Sequence, residues 1–164
     1  VMYKLQLDRE YSQELISESS KEIRDWVVNA IAHIVVVDGI IEKHEAVALQ
    51  EAMGLLGTKE EIIDLMKKVK ERSLDEVKKI KMDPDLSLKI FFYLAGIAVI
   101  DGSLKKSEAE FLKKCGNCLD LEVDFIRAVI SWSVKQMEIN RKLTQDLKTS
   151  NTHRNSIIES IIMS

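Results

Sequence analysis

Asp38 and Glu45, and again Asp101 and Glu108, are the residues of this chain whose type and spacing suit cation chemistry. Carboxylate oxygens are hard donors of the kind that divalent cations such as calcium, magnesium and manganese select. Each pair stands in the pattern D-G-x5-E, at 38–45 and at 101–108, after a run of small and branched apolar residues. The match extends in both directions at a constant offset of 63: Ala32, Ile34, Val36, Lys43, Ala46 and Leu49 recur as Ala95, Ile97, Val99, Lys106, Ala109 and Leu112. A repeat on this scale sets the architecture before any finer reading.

D-G-x5-E is also the second half of a calcium-binding EF-hand loop, and Ile41 and Leu104 fall where that loop carries its apolar residue. Calcium needs about six to eight oxygens, and the loop takes its first two ligands four and two residues before this Asp. Those positions hold Ile34, Val36, Ile97 and Val99, which have no oxygen to offer, so an EF-hand is excluded. Two readings stay open. In the architectural one, Glu42 and Lys105 are helix N-caps, and Glu45 and Glu108, at the third helical position, accept from the cap residue's amide to form half a capping box. In the other, the turns bind a cation or a partner's basic group. It is motivated by Asp38 and Asp101, each near a helix C-terminus, where negative charge opposes the macrodipole at about 0.3–1 kcal/mol.

Other residues suggest chemistry less specifically. Cys115 and Cys118 form a C-x-x-C, the spacing of zinc and redox sites. There is no second pair, and the equivalent residues of the first half are Ala52 and Leu55, so they read as small core residues, with zinc or redox chemistry as the alternative. His33 and His44 have Gly96 and Ser107 as counterparts and read as ordinary histidines; His153 lies in a polar stretch. Lys67, Lys68, Lys70, Arg72, Lys78, Lys79 and Lys81 form a basic stretch between the halves. Glu60, Glu61, Glu71, Asp75 and Glu76 interleave with it, which reads as a solvated helix face. No G-x-S-x-G, phosphate-binding glycine loop or H-E-x-x-H occurs. Ser131 and Ser133 flank Trp132 with no base nearby, so the chain reads as noncatalytic.

The elements that must position these residues are helices. Ser19–Glu22 reads as a capping box opening a helix with Ile23, Trp26, Val27, Ala30, Ile31 and Ile34, which runs to Val37 and is ended by Gly39 in a left-handed conformation. A second helix is expected from Lys43 to Leu56, closed by Gly57. Thr58–Glu61 opens a third, with Ile62, Ile63, Leu65, Met66 and Val69. Ser73–Glu76 opens a short one, with Val77 and Ile80. Asp83-Pro84 restarts the pattern in the second half with a cap and a first-turn proline. That helix ends at Gly102, its partner runs from Lys106 to Leu119, and Asp120 caps a long final helix with Phe125, Ile126, Val129, Ile130, Val134, Met137 and Ile139. An apolar tail, Ile157 to Ile162, docks on the body or engages a partner.

With 46% hydrophobic and 31% charged residues, one proline and few aromatics, the 164-residue chain fits a single all-α domain. The expected architecture is a compact bundle of about seven to nine helices, with repeat halves at about 20–82 and 83–145 and a tail at 148–164. A net charge of −3 argues against a dedicated nucleic-acid binder. No leader is visible, the longest apolar run (Ile90 to Ile100) is far short of a membrane span, and two cysteines make no disulfide framework, so the expectation is a cytoplasmic protein.

An apolar helix ending in D-G, a short turn and a helix with Glu at its third position, present twice over residues 20 to 140, resembles the TerB-like family linked to tellurite resistance. The resemblance implies an all-helical domain with a pseudo-twofold arrangement of helices. It also implies a noncatalytic role in a stress response, and an acidic face formed by Asp38, Glu45, Asp101 and Glu108 that binds a divalent cation or other ligand. The chain departs from the family pattern at Val37 and Ile100, where alanine usually precedes the Asp, and at Glu42 and Lys105, where Ser or Asp is common. The alternative expectation is a protein-interaction module or homo-oligomer with no metal site.

Overall fold

A computed structural model describes residues 14–37, 41, 43–99, 104–149 and 161, with the backbone alone at 44 and 149. Among them every regular element is a helix: residues 14–17, then α1 (Lys21–Val36), α2 (Lys43–Met53), α3 (Lys59–Glu71), α4 (Pro84–Ala98), α5 (Lys106–Cys118) and α6 (Val123–Thr149). No helix is long and apolar enough to cross a membrane among the described residues.

Helices α1 and α4 form the centre, packed against each other, with α2 against α1, α5 against both, and α6 against α4 and α5. Helix α4 is apolar nearly all round from Ile90, as a helix surrounded by others must be, and α1 is so from Trp26 apart from Asn29 and His33. Val27, Val28, Ala30, Ile31, Ala32, Ile34 and Val35 are buried in α1. The residues 63 positions on, Ile90, Phe91, Tyr93, Leu94, Ala95, Ile97 and Ala98, are buried in α4. The starts of α1 and α4, and of α2 and α5, are also 63 residues apart. One apolar cluster holds these side chains together with Leu49, Leu112, Ile126 and Val129. The α5–α6 approach is close at Gly116, where a Cβ would lie 2.5 Å from the Ile126 Cδ1.

Several helix ends differ from the sequence expectation. The N-cap of α1 is Ser20, whose hydroxyl accepts from the Ile23 amide at 3.4 Å; Ser19 instead donates to the Leu15 carbonyl. Helix α2 stops at Met53, ahead of Leu56 and Gly57, and the Gly57 amide donates to the Glu61 carboxylate. The Thr58–Glu61 capping box forms reciprocally, and the Asp83 carboxylate caps α4 by accepting from the Leu86 amide. Asp120 does not cap α6. It takes a left-handed φ of 58° and, with Leu121 donating to Gly116 and Asp120 to Asn117, ends α5 in a Schellman motif. Arg72, at φ 54°, ends α3 the same way. Gly39 and Gly102 lie outside the described residues. On α6 the buried stripe runs through Ile126, Val129, Ser133 and Met137, and Ile139 falls off it, 53% exposed.

The largest departure is at Ser73–Glu76, which opens no helix. Residues 73–83 cross the molecule as an irregular strap. Its backbone groups bond to other elements: the Trp26 indole donates to the Lys78 carbonyl at 2.7 Å, Asn29 donates to the Asp75 carbonyl at 3.0 Å, and the Ile80 amide donates to the Cys118 carbonyl at 3.1 Å. Val77 and Ile80 enter the core. The Ser73 amide is already engaged with the Lys68 carbonyl, and the Asp75 and Glu76 carboxylates pair with Lys68 and Lys114. Tertiary partners therefore replace the bonds a local helix would have supplied.

Candidate functional site

The repeated glutamates take equivalent places. Glu45 is in the first turn of α2, and Glu108 is at the third position of α5, with Lys105 as the extended N-cap residue. The Lys105 amide donates to the Glu108 Oε1 at 3.4 Å, the half capping box expected from the spacing. Glu45 is 4% exposed and Glu108 3%. A buried carboxylate is costly without donors, and the free amides and positive dipole end of a helix N-terminus supply them. Asp38, Asp101 and Glu42 lie outside the described residues, so the placement of the acidic turns themselves is not described. Among the described residues no three His, Cys, Asp or Glu side chains are grouped to hold a metal ion.

The C-x-x-C closes α5, facing inward. Cys115 is fully buried, and burial pushes its thiol up to about 12, with the neighbouring Cys118 adding to the rise. Cys118 is also raised by burial, and its thiol faces the Val77 carbonyl at 3.7 Å. A thiol held protonated is a poor nucleophile and a poor metal ligand, so both behave as small apolar groups, and Cys118 seats the strap. His33 is half-buried and stacks on Phe111, with ring centroids 5.2 Å apart. Its Nε2 lies 2.7 Å from the Asp75 carbonyl, which can only accept, so Nε2 carries the proton. Of His44, only the backbone is described. The Ser133 hydroxyl is buried and donates to the Val129 carbonyl of its own helix.

The basic stretch divides between strap and helix. Lys68 pairs with Asp64 and Asp75, at 3.2 and 2.9 Å. Across the molecule, Lys114 pairs with Glu76 at 3.1 Å, and Lys21 pairs with Asp25 and Glu61, at 2.8 and 2.7 Å. These pairs draw the Asp75 carboxyl below its ordinary value through Lys68, Glu76 through Lys114 and Glu61 through Lys21.

Helix α3 buries only Leu65 and Val69, and a cleft opens on each side of it. The first, about 620 Å³, runs between α1, α3 and the strap. Glu22, Asp25, Glu61, Asp64, Asp75 and Glu76 line it together with Lys68, Lys78 and Lys79. The second, about 690 Å³, has a different character: Val36, Ile41, Met66 and Val69 make an apolar trough edged by Lys67, Lys70 and Arg72. Ile41 and Met66 are 49% and 45% exposed, far more than their size favours. The sequence reading took Ile62, Ile63, Leu65, Met66 and Val69 only as the apolar residues of one helix, which does not say which of them neighbours cover. The available signal was its width: Ile63 and Met66, three apart, form a second stripe beside the buried Leu65 and Val69. Comparison with protein-family models, curated proteins and solved structures finds no match to this chain.

Proposed function

We propose that the chain is a noncatalytic, TerB-like helical domain of the cytoplasm, serving tellurite resistance or a related stress response, whose two acidic turns bind a divalent cation. In this reading the halves are related by a pseudo-twofold axis, Asp38 and Asp101 are the principal ligands, and Glu45 and Glu108 brace the turns and complete the donor set. The observation that carries it is the recurrence at 63 residues of both helix starts and burial, with the two glutamates among the buried residues. Calorimetric titration of the metal-stripped protein with calcium, magnesium, manganese and zinc, beside Asp38→Asn/Asp101→Asn, tests it. Saturable binding that the variant loses is expected. Absence of binding with both proteins folded would reduce the carboxylates to turn architecture.

A second reading, a protein-interaction module without a metal site, is favoured by the exposed apolar trough beside α3. It locates function in that surface or in the tail at 157–162. Deletion of residues 150–164 separates the two: assembly that survives the deletion assigns association to the body.

A further inference from the structure

The trough between α3 and the end of α1 has a chemistry that narrows its occupant. Its floor is Val69, 7% exposed, beside the half-buried Val36, and its walls are Ile41 and Met66. The remaining lining residues are Lys67, Lys70 and Arg72, and among the described residues that line it there is no carboxylate.

We propose that this trough docks one amphipathic helix of a partner protein, its apolar face on Val36, Ile41, Met66 and Val69 and its flanking Asp or Glu residues against Lys67 and Lys70. This rests on the interaction-module reading above. An apolar floor between cationic edges is the complement of a helix whose apolar stripe is bordered by carboxylates. Methionine adapts its shape to varied apolar side chains, which suits such a wall. On the α3 side the trough is lined from Met66 to Arg72, about 10 Å of chain at a helical rise, enough for some two turns of a partner. Other occupants fit less well. A second copy meeting this face symmetrically would set Lys67 and Lys70 against their own equivalents. The chain's own tail, Ile157 to Ile162, carries a single carboxylate, Glu159, to answer both Lys67 and Lys70. An anionic bilayer needs apolar groups on a protruding surface, whereas Val69 lies at the bottom of a concave one.

The test uses the full chain and two labelled helical peptides of roughly 15 residues. Both carry Leu at i, i+3, i+4 and i+7; one is flanked by Glu and the other by Lys. Fluorescence anisotropy should show saturable binding of the Glu peptide, at least about tenfold tighter than the Lys peptide and weakened by salt. Met66→Glu should abolish it. Lys67→Glu/Lys70→Glu should reverse the preference toward the Lys peptide, a gain that misfolding cannot imitate. Equal binding of both peptides, lost in Met66→Glu, would overturn the acidic partner while leaving an interaction surface. Binding of neither peptide, with no association altered by Met66→Glu, would overturn the inference and the interaction reading together. Self-association abolished by Met66→Glu would give the trough to a second copy, and vesicle binding without peptide binding would give it to anionic lipid; either result overturns the proposal.

Discussion

Cys115 and Cys118 show how one motif separates into chemistry and packing. The spacing alone admits zinc or redox function, but reactivity follows the thiolate, and burial holds Cys115 protonated up to about 12 and raises Cys118 as well. The native protein should therefore leave both thiols unmodified by an aromatic disulfide reagent at pH 8 over minutes, and release both on unfolding in guanidinium. Rapid stoichiometric labelling of the folded chain would return the pair to the redox candidates. The repeat had pointed the same way, since Ala52 and Leu55 stand in the equivalent places and are buried too. Glu108 was legible for a similar reason: a helix N-terminus acts on residues three apart in sequence, so spacing sufficed to place the carboxylate against the Lys105 amide.

At the scale of elements, the strap at 73–83 is the part that local rules misread. Ser73 and Glu76 have the spacing of a capping box, yet the Arg72 turn engages the Ser73 amide and the strap's carbonyls meet Trp26, Asn29 and His33. Trp26→Phe keeps most of the aromatic volume and removes the donor to the Lys78 carbonyl. It should cost about 1–3 kcal/mol, the penalty of a polar group left without its partner. Amide exchange at Ile80 should accelerate more than exchange within α4. A loss under about 0.5 kcal/mol with unchanged Ile80 exchange would mean that water replaces the indole without loss. The helices themselves were readable because their signals are local: Thr58 with Glu61, Asp83 before Pro84, and apolar periodicity in α1 and α4. Their ends were less so. Arg72 and Asp120 take left-handed conformations that a sequence reader assigns to glycine.

For the whole molecule, Lys21–Glu61 and Lys114–Glu76 tie α3 and the strap to the body, and Lys68–Asp75 ties them to each other, beside the buried Leu65, Val69, Val77 and Ile80. Glu61, Asp75 and Glu76 have folded-state carboxyls below their ordinary values of 4.5, 3.8 and 4.5. Their contribution is complete above those ordinary values and is lost as pH falls through the lower folded ones. The urea midpoint should accordingly hold steady from pH 7 to about 5 and decline below, with a smaller electrostatic part in high salt. Lys21→Met/Lys68→Met/Lys114→Met should flatten the acid limb; an identical slope in wild type and variant would show that these exposed pairs contribute nothing measurable.

The sequence by itself determined the all-helical class, the main helices, the 63-residue correspondence and the seat of Glu108. Each of these depends on residues within a few turns of one another or on a pattern repeated along the chain. Only the tertiary structure decided that 73–83 is a strap, that Asp120 ends α5 and does not cap α6, and that α3 leaves one apolar stripe uncovered between lysines. Those outcomes turn on which distant groups satisfy a carbonyl or cover a side chain. A helix with apolar residues on two adjoining faces does not state in its own sequence which of them its neighbours will bury.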